Sequence, residues 1–224
     1  MFLQIDQVLT LEELEQLHSL CKAAPFVDGK LTAGIYAKAV KENQQLQGDS
    51  EAYERAAEIV LAALRRNILF EAFAQPRAIR PILFSRYQEG MGYGTHMDNT
   101  LMGRGEDLTR CDLSLTLFLS DPLTYEGGEL LLDTTWGEQS FKLAAGSMVI
   151  YPSIFLHRVA PVTQGVRLVA VTWVQSRIRD PLERELLFEL DTVRHSLFEK
   201  YGKTEEFDLL CKVYANLLRK WVEV

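Results

Sequence analysis

The sequence predicts a mainly β fold, an antiparallel sandwich or jelly roll, set between N-terminal helices and a C-terminal helical hairpin. Between 78 and 175 the pattern has a period of two, with Leu113, Leu115, Leu117 and Leu119 alternating with Asp112, Ser114, Thr116 and Phe118. Gly127-Gly128, Gly137, Gly146 and Gly165 punctuate that region at turn spacing and leave no room for the helix-length crossovers of a parallel sheet. On either side the apolar spacing changes to three and four, the period of a helix that buries one face.

In chain order, the first element is a helix over about 10–24. Thr10 and Glu13 make a T-x-x-E capping box, and Leu11, Leu14, Leu17 and Leu20 follow at helical spacing. Residues 25–49 are mixed and polar and read as loops with short strands. A second helix is predicted from about Ser50 to Phe73, with Tyr53, Ala57, Val60, Leu61, Leu64 and Ile68 on one side and Pro76 closing it. About eight short strands come next, among them GELLLD, SFKLA, SMVIYP and RLVAVTWVQ. Asp180 and Pro181 supply the N-cap and first residue of a helix that Gly202 ends, and Thr204 caps a last one carrying Phe207, Leu210, Tyr214, Leu217 and Trp221. The expected division is 1–77, a helical support packed on the roll; 78–177, the roll; and 178–224, the hairpin.

At 224 residues and 47% hydrophobic, the chain can bury one sizeable core. Its net charge of −7 argues against a polyanion-binding surface, so no nucleic-acid partner is expected. Cys21, Cys111 and Cys211 are far apart, odd in number and lack a CxxC pair, which reads as reduced thiols. The N-terminus has no basic start before an apolar run, and no stretch approaches ~18 apolar residues, so a cytoplasmic protein without membrane association is expected. The apolar stripes of the last two helices suit packing on the roll or on a second copy of the chain, leaving a homo-oligomer open.

Chemistry concentrates in RYQEGMGYGTHMDN. His96 and Asp98 are two apart in the β region, and alternate residues of a strand share a face, so both can reach one metal. Alone this is weak, since an H-x-D arises by chance about one time in five in a chain this long. A later histidine, His157, completes two imidazoles and one carboxylate, the facial set that leaves three positions open on Fe(II). Arg167 starts a strand ten residues on, one hairpin's length, which would put it beside His157. Its planar guanidinium matches a carboxylate, and within RLVAVTW a buried arginine needs an anion; an exposed edge-strand residue is the bland alternative. Val169, Val171 and Trp173 share its strand face and would wall a pocket, with Leu168, Ala170 and Thr172 facing away.

Taken together, Tyr87, Gly90, Tyr93, His96-x-Asp98-Asn99, Gly127-Gly128-Glu129-Leu130, Gly146-Ser147, His157-x-Val159-x-Pro161-Val162 and Gly165-x-Arg167 resemble prolyl-4-hydroxylase-type 2-oxoglutarate dioxygenases, in order, over about 80–176. The whole chain is most similar to the bacterial PKHD-type hydroxylases, which are associated with iron uptake. The resemblance implies a cupin-like double-stranded β-helix in which His96, Asp98 and His157 bind Fe(II) and Arg167 grips the distal carboxylate of 2-oxoglutarate. It further implies O2 as oxidant, succinate and CO2 as products beside a hydroxylated substrate, and L-ascorbate as a reductant. A tyrosine that often assists that carboxylate is replaced here by Phe118, leaving Tyr87 or Ser114 to substitute.

Two other readings stand beside this one: a cupin-like metal hydrolase or isomerase with an activated water on Zn(II), and a non-catalytic sensor of iron or a 2-oxo acid. Tyr93 is read either as a half-buried strand tyrosine or as pocket wall. Gly127-Gly128 needs only turn geometry. The polar run 99–110 is a solvated loop or a lid over the site. His18 and His195 fall in amphipathic helices and are expected to have no chemical role.

Overall fold

A computed structural model describes residues 1–223. Two antiparallel sheets stack as a roll, and helices cover the outer face of the larger one. Across the eight-stranded sheet lie Leu3–Ile5, Met148–Pro152, Leu113–Phe118, Arg167–Ser176, Leu83–Tyr87, Gln44–Leu46 and Phe26–Asp28, with Pro76–Ile79 also paired to Arg167–Ser176. The five-stranded sheet runs Gly137–Phe141, Leu130–Thr134, Leu156–Val159, Gly92–His96 and Lys41–Glu42.

The expected jelly roll with flanking helices is therefore present, and the period of two has a definite meaning. Leu113, Leu115 and Leu117 point outward into a core shared with the helices α1 (Leu11–Ala23), α2 (Glu51–Arg66) and α3 (Ile68–Ala74). The other face of that strand turns into the roll, where Phe118 packs with Tyr87, Leu130, Val149 and Val169. Both faces are covered, so all six residues of Leu113–Phe118 are buried. The alternation thus separates an apolar face from one carrying Ser114 and Thr116 toward the interior of the roll.

The Thr10 capping box forms as expected. The helix expected over Ser50–Phe73 is in fact two. Asn67 stands between them, ending α2 and accepting a hydrogen bond from the Phe70 N–H at 2.9 Å as the cap of α3. A short amide side chain competes well for local backbone donors, which is why the helix breaks there despite continuous apolar spacing. The short strands expected within 25–49 are Phe26–Asp28 and Gln44–Leu46, which extend one sheet, and Lys41–Glu42, which extends the other; Leu3–Ile5 is a further strand that the sequence did not suggest.

A second correction concerns the chain between His157 and Arg167, which is not a hairpin. Val162–Gly165 pairs with Tyr125–Gly127, and Arg167 then opens a strand in the opposite sheet. Pro161, with no N–H to offer, cannot continue the ladder beside His157. At the C-terminus α4 (Pro181–Tyr201) and α5 (Glu205–Trp221) form the expected hairpin, capped by Asp180 and Thr204. Among the described residues no helix is long and apolar enough to cross a membrane.

Candidate metal and co-substrate site

His96 is the last residue of its strand and lies opposite His157 in the register. The three residues from His157 to Val159 face the four from His96 to Tyr93, so a bulge occupies the Gly92–His96 strand. That extra residue brings Tyr93 and His96 to one side, their rings stacked with centroids 3.6 Å apart. Asp98 lies two residues past the end of that strand, with its carboxylate close to both histidines.

The ligand-capable atoms of His96, Asp98 and His157 all lie within 4.8 Å of one another. Asp98 Oδ2 is 3.6 Å from His157 Nε2. The Nδ1 of His96 is 2.8 Å from the Gly94 carbonyl oxygen and that of His157 is 3.1 Å from the Phe155 carbonyl oxygen. With Nδ1–H donating to those carbonyls, Nε2 of each ring is left free as an electron-pair donor. Burial, followed by the neighbouring His157, pushes the His96 pKa down to about 4, so this imidazole is neutral at pH 7. Two imidazoles and a carboxylate, brought together and braced from behind, fit a divalent iron.

Ser114 Oγ donates to Asp98 Oδ2 at 2.6 Å and shares a 2.8 Å hydrogen bond with Ser153 Oγ. The hydroxyl offered by the sequence as a substitute for the missing tyrosine is thus committed to the Asp98 carboxylate. The loop 99–110 is more ordered than expected, with Leu101–Met102 paired to Thr109–Arg110, and Asn99 and Met102 reach the cavity.

Arg167 stands opposite Tyr87 in the register and is 1% exposed. Its guanidinium carbon lies 5.0 Å from the centre of the Tyr87 ring and 5.5 Å from that of Phe118. Nε and Nη1 have no hydrogen-bond partner among the described residues. Burial lowers its pKa, and the nearby Tyr87, Tyr125 and Tyr151 oppose the shift. Gly128 has φ +70, and a Cβ there would sit 2.9 Å from Arg167 Cδ and 3.1 Å from Tyr125 Cε2. The Gly127-Gly128 pair does more than turn the chain: its second glycine makes room for the arginine.

All of this opens into one cavity of about 90 Å³. The three clustered residues, Arg167, Tyr87, Tyr93, Ser114, Val171 and Trp173 line it. Val169 does not, and belongs to the apolar cluster below. Tyr151, 2% exposed with its ring 5.6 Å from that of His157, and the buried Tyr125 went unnoticed in the sequence. Tyr151 sits in the apolar run SMVIYP, which reads as core, and nothing near Tyr125 distinguishes it. His18 and His195 lie outside the cavity, bonded to the backbone at Leu119 and Asp191.

Comparison with known proteins bears on this arrangement. Residues 82–175 match the family described as the 2OG-Fe(II) oxygenase superfamily, and 182–223 match the PKHD-type hydroxylase C-terminal domain. A PKHD-type hydroxylase of Thermosynechococcus vestitus is 70% identical over 100% of both chains. Among solved structures, a prolyl-4-hydroxylase of Pseudomonas putida is similar with TM-score 0.54 and 20% identity, covering 79% of this chain and 92% of its own. A prolyl hydroxylase of Trichoplax adhaerens, in complex with a peptide fragment of the hypoxia inducible factor oxygen degradation domain, reaches TM-score 0.58 at 18% identity, covering 83% and 86%. At such identities the two structures speak to the fold alone.

Proposed function

The chain belongs to the PKHD-type hydroxylases of the 2OG-Fe(II) oxygenase superfamily, and on that premise we propose that His96, Asp98 and His157 hold the iron while Arg167 binds 2-oxoglutarate. Family membership makes it an oxidoreductase that uses Fe(II), 2-oxoglutarate and O2, and it removes the hydrolase and sensor readings. The observation that carries the residue assignment is Arg167: a guanidinium sealed from water, its Nε and Nη1 without a partner among the described residues, in the cavity that holds the three clustered residues. An isolated buried cation is costly, and the distal carboxylate of a five-carbon diacid offsets that cost with charge-assisted hydrogen bonds.

When bound, the iron centre supplies oxidative decarboxylation of 2-oxoglutarate to succinate and CO2, coupled to hydroxylation of a second substrate. The chain's own residues bind, orient and exclude. Asp98 brings the only negative charge to the metal, and Ser114 fixes which carboxylate oxygen faces it. The Gly94 and Phe155 carbonyls fix the histidine tautomers. Tyr87 and Phe118 flank the guanidinium, while Val169 and its neighbours keep water from beneath the site. Tyr125, whose buried hydroxyl stands beside the Arg167 guanidinium, and Tyr151 take the place of the tyrosine lost at Phe118. Three free cysteines support work in a reducing cytoplasm, where ascorbate would re-reduce oxidised iron. Exposed Leu186, Val193 and Phe198 on α4 support self-association through the helical hairpin.

Anaerobic titration with Fe(II) and then 2-oxoglutarate tests the assignment. A visible charge-transfer band should require both additions and disappear in His157→Ala; a band retained in that variant would exclude His157 as a ligand.

A further inference from the structure

The five-stranded sheet ends on Lys41–Glu42, where Lys41 lies opposite Tyr93. Lys41, Asn43 and Gln45 alternate along the chain, are 5%, 5% and 3% exposed, and all line the cavity. Buried polar groups are ordinarily matched to one another, and here the matching is incomplete. Gln45 Oε1 accepts from Thr32 Oγ1 at 2.6 Å, but the Asn43 amide, with the Tyr87 hydroxyl nearby, makes no well-formed hydrogen bond among the described residues. The Lys41 ammonium donates to Thr32 Oγ1 at 3.1 Å and lies 5.3 Å from the centre of the Tyr93 ring. Burial pushes its pKa down to about 8 while Asp98 and then Asp28 act in the opposite direction, so it stays mostly protonated at pH 7. Among the described residues this buried ammonium has one neutral hydrogen-bond partner and no carboxylate in salt-bridge contact, so it has donors left over.

The Tyr93 ring that faces this ammonium is stacked on His96, so Lys41 stands one aromatic ring away from a proposed iron ligand. Arg167 enters the cavity from the eight-stranded sheet and Lys41 from the edge of the other. We propose that Lys41, with Thr32 and Asn43 as neutral partners, binds a carboxylate of the primary substrate beside the iron site. The assignment rests on the iron and 2-oxoglutarate reading above. One compact ammonium flanked by neutral groups suits a monoanion, whereas phosphate is ordinarily met by several cations or an arginine fork. Ala33, Gly34 and Ala37 line the adjoining wall, leaving space for the body of an acid-bearing molecule.

The test loads native protein and Lys41→Met with Mn(II) and 2-oxoglutarate and titrates each calorimetrically with N-acetylglycine, N-acetyl-L-proline and the corresponding amides. Native protein should bind the acids at least about tenfold more tightly than the amides, and Lys41→Met should lose that preference while keeping 2-oxoglutarate affinity within about twofold. Without ligands, Lys41→Met should melt higher than native protein, because an unmatched buried charge has gone. A lower melting temperature would identify Lys41 as an anchor for Thr32 and overturn the proposal. So would native protein with no preference for the acids, or a loss of 2-oxoglutarate affinity in the variant. Failure of native protein to bind 2-oxoglutarate would overturn the co-substrate reading beneath it as well.

Discussion

Replacing Arg167 with methionine should move stability and co-substrate binding in opposite directions. The side chain is 1% exposed, and its Nε and Nη1 have no partner among the described residues. Methionine keeps most of the packing against Tyr87 and Phe118 while removing buried donors that cost about 1–3 kcal/mol each when unmatched. The ligand-free variant should therefore melt several degrees higher. Loss of one partner from a buried charge-assisted pair costs about 2–5 kcal/mol, or roughly 30- to 5,000-fold in Kd. At 2-oxoglutarate near 100 times the native Kd, ligand linkage contributes about 2.7 kcal/mol to the native protein, raising Tm by about 5–11 °C in a chain of this size. A 30-fold weaker variant retains about 0.9 kcal/mol, roughly 2–4 °C, and a 5,000-fold weaker one retains no measurable shift. Thermal unfolding of the Mn(II)-loaded proteins, with and without 2-oxoglutarate, measures both quantities. A ligand-induced shift in Arg167→Met as large as the native one would refute the placement of the co-substrate carboxylate.

Three further outcomes follow from the same geometry. Asp98→Ala should lose bound Fe(II) on gel filtration, because it removes the only carboxylate of the cluster, while Ser114→Ala should keep a metal but bind it about 10- to 100-fold more weakly once Asp98 loses its bracing hydrogen bond. Gly128→Ala should destabilise the fold by about 1–2 kcal/mol through its positive φ alone, and the Cβ pressed 2.9 Å from Arg167 Cδ should also weaken 2-oxoglutarate, both readable in one thermal titration. His96 titrates near 4 when folded and near 6.5 when unfolded, so between those values the unfolded chain binds the extra proton. Stability of the metal-free protein should therefore be complete above pH 6.5 and decline as pH falls toward 4; His96→Gln should flatten that decline, and an unchanged slope would remove His96 as its source.

Features that depend on residues close together in the chain were legible in the sequence. The Thr10 capping box, the Asp180-Pro181 start, the Gly202 stop and the period of two over 113–118 each arise within a few residues, and each forms. The order and spacing of His96, Asp98 and His157 mark a metal set in the sequence, and the three gather in the fold, His96 at the end of a bulged strand and Asp98 two residues past it.

What tertiary structure alone decided is which distant groups meet. Arg167 and His157 share a cavity because the chain changes sheets between them, a step that local hairpin length could not reveal. Tyr151 reads as core and nothing in the sequence distinguishes Tyr125, until the roll closes around the guanidinium. Lys41, Asn43 and Gln45 carry no apolar alternation, so the hydrophobic pattern does not show which of their sides is buried; they leave water because they face a polar cavity. Hydrophobic periodicity reports which side of an element leaves water for an apolar core, and is silent where a strand faces a site lined with polar groups.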